Sequence, residues 1–137
     1  MKKLTFLMTL ILFVGCTPIV YTPVPTDEVN IQGTKNELYV KANLWMVDQF
    51  SNAKSVIQFS DKEAGVIKGR YLLYYKPSGQ YVGEISYYAI ITITASDNIL
   101  KMEIKPDDSP NALFYNGDRM TADISNLHRK FREAFQK

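Results

Sequence analysis

The sequence is poor in the residues that build catalytic, metal and disulfide sites. It contains one cysteine, Cys16, and one histidine, His128. A single cysteine excludes an internal disulfide, and a single histidine excludes a metal site with two histidine ligands. The seven glycines are scattered singly, so the chain has neither a G-x-S-x-G nucleophile motif nor a glycine-rich phosphate-binding loop. We therefore expect a protein that is not an enzyme and that binds no metal or cofactor.

Long hydrophobic runs are also absent. The longest apolar stretch covers residues 4–14, behind Lys2 and Lys3, whereas a membrane-spanning helix needs about 20 residues. A short apolar run that follows two lysines and ends at a small residue, here Gly15, is typical of a secretory signal peptide. We predict that residues 1–15 are a signal peptide and are removed.

The lone cysteine stands directly behind this segment. The sequence Phe13-Val14-Gly15-Cys16 resembles the lipobox at which bacterial lipoprotein precursors are cut and diacylated. The resemblance implies a lipid, such as palmitate, on Cys16; the alternative is an ordinary signal peptide followed by a coincidental cysteine. Because each buried CH₂ contributes about 0.8 kcal/mol, two or three acyl chains would hold the protein stably on a membrane. We predict a lipid anchor at Cys16 and a domain that faces water.

The residues after the cysteine bear on which membrane carries the anchor. Thr17 differs from the aspartate that resembles an inner-membrane retention signal, and Asp27 and Glu28 lie well downstream of the position where an acidic cluster resembles a surface-display signal. We expect anchoring to the outer membrane on its periplasmic side.

No charge of one sign dominates the mature chain. The whole sequence has 16 basic and 14 acidic residues, and removal of Lys2 and Lys3 with the signal peptide leaves 14 of each. A nucleic-acid binder needs a basic surface that displaces counterions from phosphates. We therefore expect no nucleic-acid partner.

The mature chain divides into a spacer and one domain. Residues 16–27 contain Pro18, Pro23 and Pro25, which restrict the backbone to extended conformations, so we predict a tether. An edge strand over residues 20–24 is the alternative. Residues 28–137 are long enough for a single α+β domain with its own core.

Two amphipathic helices are predicted in this domain. After a short strand near residues 28–31, Thr34 and Glu37 form the pattern of a capping box, which marks the start of a helix. Its apolar residues fall on one side: Leu38, Tyr39, Ala42, Trp45, Met46 and Phe50. Trp45 is interpreted as a core residue, with a sugar-stacking platform as the alternative. Asp118 is predicted to cap a last helix with an apolar stripe of Met120, Ile124, Leu127, Phe131 and Phe135.

Between the helices, alternating patterns predict four strands, over residues 55–60, 66–75, 84–95 and 99–105. Turn residues separate consecutive strands, which indicates an antiparallel meander. The alternation predicts these inward-facing residues: Ile57, Phe59, Ile67, Tyr71, Leu73, Tyr75, Ile85, Tyr87, Ala89, Ile91, Ile93, Leu100, Met102 and Ile104. The element order is thus β-α-β-β-β-β-α, with both helices packed on one face of one antiparallel sheet.

At this point the sequence resembles a known family, the domain of unknown function with a TATA-binding-protein-like fold that occurs in lipoproteins of certain Gram-negative bacteria. The resemblance rests on the segments Gly33–Tyr39, Ala42–Trp45 with Phe50, Ala53–Gln58 and Asp61–Gly69. It implies the fold and supplies no catalytic residues. The name of the fold does not imply DNA binding, because one fold serves many functions.

The uncovered face of the predicted sheet is the candidate binding site. The alternation places on it an apolar and aromatic group with two cations: Leu72, Tyr74, Tyr88, Ile90, Lys68 and Arg70. Such patches mark partner or ligand sites. Cross-strand pairs that only stabilise the sheet are the alternative.

We therefore expect a membrane-anchored, non-catalytic lipoprotein of the cell envelope that binds a protein or another envelope component through this face. One alternative is a small periplasmic hydrolase that uses the carboxylates of the loop from Pro106 to Asp118, with Asp107 and Asp108 as candidates. Turn formation and helix capping by these aspartates and by Asn111 and Asn116 of the same loop explain the same residues. The other is a purely structural lipoprotein.

Overall fold

Five strands and two helices follow one another in the predicted order. The computed structural model describes residues 26–52, 55–80, 83–107 and 117–136. The elements are β1 (Asp27–Asn30), α1 (Lys35–Gln49), β2 (Val56–Asp61), β3 (Val66–Lys76), β4 (Ile85–Ser96), β5 (Ile99–Pro106) and α2 (Gly117–Phe135). The predicted signal peptide, Cys16 and most of the predicted tether lie outside the described residues.

The strands form one antiparallel sheet in the order β1-β5-β4-β3-β2. The chain from β2 to β5 is a meander, as the turn residues predicted. β1 adds to the free edge of β5, where Val29 pairs with Leu100. It begins at Asp27, one residue before the predicted strand, so Asp27 belongs to the sheet rather than to the spacer. The α+β fold class is confirmed.

Helix α1 begins where the capping box predicted. The Thr34 hydroxyl accepts a hydrogen bond from the Glu37 amide at 3.3 Å, and the Thr34 amide donates to the Glu37 carboxylate at 2.8 Å. The Thr34 hydroxyl also donates to the Glu37 carboxylate at 3.0 Å. The two bonds that the carboxylate accepts, from the Thr34 amide and hydroxyl, lower the pKa of Glu37 because they favour its charged form. A distant residue completes the cap, since Asp97 in the β4–β5 turn accepts a hydrogen bond from the Lys35 amide at 2.7 Å.

The same turn holds the segment between β1 and α1. Asn98 adopts a positive φ of 64°, which asparagine tolerates better than most residues. Its amide donates to the Gly33 carbonyl at 2.9 Å, and its side-chain oxygen accepts from the Gly33 amide at 3.1 Å. The start of α1 is therefore fixed against the end of the sheet.

Both helices pack on one face of the sheet and enclose a single core. The indole of Trp45 in α1 meets the ring of Phe131 in α2 edge-on at 5.4 Å. The core also contains residues from four strands, including Ile67, Ile91 and Met102. Burial of each large apolar side chain contributes about 1.5–3 kcal/mol. The assignment of Trp45 to the core is confirmed.

Helix α2 differs from the prediction at its start. It begins at Gly117, so Asp118 lies in the first turn and not at the capping position before the helix. In the first turn the negative carboxylate still stabilises the helix, because it interacts favourably with the positive end of the helix dipole. The predicted apolar stripe is buried from Ile124 to Phe135, whereas Met120 is only partly buried.

Candidate functional site

The face of the sheet opposite the helices carries most of the predicted binding residues. In β4, Ala89 and Ile91 are buried under the helices, so Tyr88 and Ile90 point to the other face. The strand register places their β3 neighbours on that face with them. Five of the six predicted residues therefore lie on the open face: Lys68, Arg70, Leu72, Tyr88 and Ile90.

The predicted position of the sixth residue, Tyr74, is wrong. Tyr74 pairs with Tyr87, which is 4% exposed on the helix side, and their ring centroids are 6.0 Å apart. The guanidinium of Arg119 in α2 stacks over the same Tyr74 ring at 4.6 Å. Tyr74 thus belongs to the contact between β3 and α2 and does not face solvent with Tyr88.

The cause is a bulge in β3. The register shifts between Leu72 and Tyr74, and one extra residue in a strand sends every later side chain to the opposite face. Tyr75, predicted for the core, accordingly pairs with Ser86 on the open face and is 42% exposed. The buried Ser55 side chain stabilises this region by accepting a hydrogen bond from the Leu72 amide at 2.9 Å.

A second bulge moves Phe59 in the same way. The pairing of β2 with β3 shifts between Ile57 and Phe59, so Ile57 lies beside Gly69 but Phe59 lies beside Lys68. Ile57 packs against the core, whereas Phe59 is 51% exposed. The predicted inward position of Phe59 is therefore wrong, and its ring becomes part of the open face.

The two bulges enlarge the candidate site and shift it toward the β2 edge. We define the open-face patch by its apolar and aromatic residues: Val56, Phe59, Leu72, Tyr75, Tyr88 and Ile90. Val56 pairs with Arg70 and is 53% exposed. Three of the six residues, Val56, Phe59 and Tyr75, are apolar or aromatic and substantially exposed on the same face.

Arg70 is held in a fixed position within this patch. Its Nε donates to the Asp107 carboxylate at 2.7 Å, and its guanidinium carbon lies 3.6 Å from the centroid of the Tyr88 ring. A cation over an aromatic face is attracted by the ring quadrupole. The paired contacts present a guanidinium with restricted freedom, so a partner that binds it would lose little side-chain entropy.

Three lysines lie on the open face outside the β2 edge: Lys68 in β3, and Lys101 and Lys105 in β5. Lys105 donates to the Glu103 carboxylate at 2.8 Å. This hydrogen bond, together with the charges of Lys105, Lys101 and Lys68, lowers the pKa of Glu103. The three lysines outnumber Glu103 on this part of the open face.

The loop carboxylates of the alternative hydrolase are only partly described. Asp107 is bound to Arg70, and its amide donates to the Tyr88 carbonyl at 2.9 Å, so Asp107 extends the sheet pairing. Asp118 lies in the first turn of α2. Asp108, Asn111 and Asn116 lie outside the described residues.

A polar cluster that the sequence pattern did not indicate lies at the other edge of the sheet. Nδ1 of His128 lies 2.9 Å from the Asp27 carboxylate, and Arg132 donates to both Asp27 oxygens at 2.7 and 2.6 Å. His128 is 4% exposed, and among the described residues nothing bonds its Nε2. No sequence signal relates Asp27 to the two α2 residues, because they are about a hundred positions apart.

Within the described ranges, no three histidine, cysteine or acidic side chains come together as a set that could hold a metal ion. In the same part of the chain, no helix combines the length and the apolar character that crossing a membrane requires.

Comparison with a solved structure supports the fold. A TBP-like protein from Parabacteroides distasonis ATCC 8503 superimposes with a TM-score of 0.58 at 17% identity, over 90% of this chain and 99% of that one. A DUF4468 family protein from Bacteroides ovatus ATCC 8483 gives 25% identity and a TM-score of 0.46 over 67% of this chain. The chain spans 58% of the length of that second protein. A search of the curated proteins finds no match.

A family model identifies the same relationship from the sequence. The model for a domain of unknown function (DUF4468) with a TBP-like fold matches residues 26–106. This range covers more than half of the chain and contains β1, α1 and the whole meander. The chain therefore belongs to the DUF4468 family of TBP-like domains.

Proposed function

We propose that the protein is a membrane-anchored, non-catalytic lipoprotein of the cell envelope that binds a protein or another envelope component through the open-face patch. The observation that carries the proposal is the exposure of Val56, Phe59 and Tyr75 on the sheet face that also carries the fixed guanidinium of Arg70. Aromatic residues and arginine are the side chains that contribute most to binding at protein interfaces.

The lipid anchor of the proposal rests on the lipobox-like sequence that ends at Cys16. A periplasmic position on the outer membrane is part of the proposal. An anchored domain with one helix-covered face and one open face can hold the open face toward a neighbouring component while its spacer joins the lipid.

The anchor is tested by labelling cells with radioactive palmitate. The wild-type chain is expected to incorporate the label and to sediment with the outer membrane. Cys16→Ser is expected to remove both properties, because the thiol is the site of acylation. A wild-type chain that takes up no label would contradict the anchor.

The binding face is tested by a triple variant, Phe59→Thr, Leu72→Thr and Tyr75→Thr, which keeps good strand formers at each position. Mild crosslinking in the native envelope, followed by purification of the tagged chain, is expected to recover a partner with the wild type and at least about tenfold less with the variant. The side chains that dominate a protein interface each contribute on the order of 2 kcal/mol to binding, and the variant removes three candidates.

A matched variant separates loss of binding from loss of folding. Phe59→Tyr, Leu72→Ile and Tyr75→Phe change the same positions but keep apolar bulk on the face, and recovery of the partner is expected to stay near the wild-type level. Equal recovery with the threonine variant and the wild type would refute the proposed face. Turnover of a substrate that depended on Asp107 and Asp108 would favour the hydrolase instead.

A further inference from the structure

A second apolar surface lies on the outer side of α1, away from the sheet. Val40, Leu44 and Val47 are 47%, 60% and 53% exposed. Their spacing of four and three residues places them in one line along the helix. The opposite side of α1 is already buried in the core. The helix is therefore apolar on two sides, whereas a surface helix normally has a polar outer side. We call this line the α1 stripe.

The spacing of the α1 stripe is that of the seam between two packed helices. Seam residues of a coiled coil recur at intervals of three and four positions, because this keeps them facing the partner helix. The stripe supplies two such intervals, centred on Leu44. A second helix is thus a better geometric fit than a globular ligand.

The charges beside the stripe favour one particular helix. Lys41 and Asp48 are exposed and, being seven residues apart, lie on the same flank of the stripe. Within the described part of the chain neither forms an ion pair shorter than 4 Å, although the charge of Lys41 contributes to the lowered pKa of Glu37 one turn earlier in α1. The cation lies toward the start of α1 and the carboxylate toward its end.

This order of charges is self-complementary. A twofold axis near Leu44 would reverse the direction of the second α1 and bring Lys41 of each copy to Asp48 of the other. Homodimers with one twofold axis require such a self-complementary surface. We propose that two copies of this chain pack through the α1 stripe in antiparallel orientation, with two Lys41–Asp48 ion pairs across the interface.

An anionic lipid surface fits the stripe less well. Glu37 and Asp48 outnumber Lys41 along this flank, so an anionic membrane would gain no net electrostatic attraction. The dimer would leave the open-face patch of both copies free, because that patch lies on the other side of the sheet. The proposal does not depend on the proposed function.

One helix from each copy buries less area than the roughly 1,200–2,000 Å² of a standard interface. A weak dimer is therefore expected, with a dissociation constant in the micromolar range or above. Copies confined to one membrane would associate more readily, since confinement raises their effective concentration.

The first test is sedimentation equilibrium of the mature chain, residues 16–137 with Cys16→Ser, from about 10 μM to 1 mM. The wild-type sequence is expected to show a concentration-dependent dimer. Leu44→Glu is expected to raise the dissociation constant at least about tenfold, because it places two carboxylates at the centre of the apolar contact. The control is Ala122→Glu, which adds the same charge at an exposed position of α2 and should leave the dimer unchanged.

The second test addresses the orientation. Lys41→Glu is expected to raise the dissociation constant about three- to tenfold, because attraction at two sites becomes repulsion. Adding Asp48→Lys to the same chain restores opposite charges and is expected to return the constant to within about twofold of the wild type. Circular dichroism melts of each variant verify that the monomer stays folded.

Three outcomes would overturn the proposal. The first is a monomer at every concentration, and the second is a dimer unaffected by Leu44→Glu. The third is equal weakening by the single and the double charge variants, which would exclude the antiparallel pairing. A further result would assign the stripe to the membrane instead: the wild-type chain is monomeric and binds vesicles of phosphatidylethanolamine and phosphatidylglycerol, whereas Leu44→Glu does not bind them.

Discussion

Replacement of Asp27 by alanine is expected to lower the free energy of unfolding by about 1–3 kcal/mol. The Asp27 carboxylate lies 2.9 Å from Nδ1 of His128. Because a carboxylate only accepts hydrogen bonds, this ring nitrogen carries the proton and donates it. Without Asp27 the Nδ1 of this buried imidazole would lose its partner, whereas Nε2 already has none among the described residues, and one newly unsatisfied buried group costs about 1–3 kcal/mol. Arg132 adds less, because its side chain is 42% exposed and solvent screens its charge.

Urea denaturation of the wild type and the variant measures this loss. The matched control is Asp27→Asn, which removes the charge but keeps a side-chain oxygen for the His128 proton, and less than half of the loss is expected. If Asp27→Ala stayed within about 0.5 kcal/mol of the wild type, the cluster would have no stabilising role.

The regular parts of the fold follow from local sequence patterns. Alternation in β4 predicts that Ala89, Ile91 and Ile93 face the core, and all three are fully buried. The residues Thr34 and Glu37 predict the start of α1 because their mutual hydrogen bonds depend only on a spacing of three residues. Patterns of this kind need no knowledge of which strands are neighbours.

The bulges lie beyond the reach of such patterns. The segment Leu72-Leu73-Tyr74-Tyr75 consists of four apolar residues in a row, so it contains no alternation that could reveal an extra residue. The bulge is set by the pairing with β4, where Leu72 meets Tyr88 and Tyr74 meets Tyr87. A strict period of two therefore placed both Tyr74 and Tyr75 on the wrong face.

The candidate site was predictable to the same extent as the register. Lys68, Arg70 and Leu72 precede the β3 bulge, and alternation places them correctly on the open face. Phe59 follows the β2 bulge, and alternation places it in the core. Arg70 in β3 contacts Asp107, the residue after β5. The two residues meet only because β3 and β5 both pair with β4, which local sequence patterns do not reveal. Tertiary pairing, rather than local propensity, thus decides which aromatic residues are exposed.

Substitution of Gly65 by alanine is expected to lower the free energy of unfolding by about 2–4 kcal/mol. Gly65 ends the turn between β2 and β3 with a φ of +71°, a left-handed conformation that costs an L-residue roughly 1–2 kcal/mol. An added Cβ would also lie 2.4 Å from the Ala95 carbonyl oxygen. That oxygen cannot move aside cheaply, because the Ala95 amide is already bonded to the Gly65 carbonyl at 2.7 Å.

The matched control for this substitution is Gly83→Ala, since a Cβ at Gly83 meets no atom within 4 Å. Gly83→Ala is expected to change stability by no more than about 0.5 kcal/mol, and thermal and urea denaturation of both variants measure the difference. A loss below about 1 kcal/mol for Gly65→Ala would show that the turn relaxes around the new methyl group. The larger loss would show that the close approach of the β2–β3 turn to β4 is rigid. A rigid turn would fix the pairing of Phe59, which precedes the turn in β2, with Lys68, which follows it in β3, and so keep the Phe59 ring on the open face.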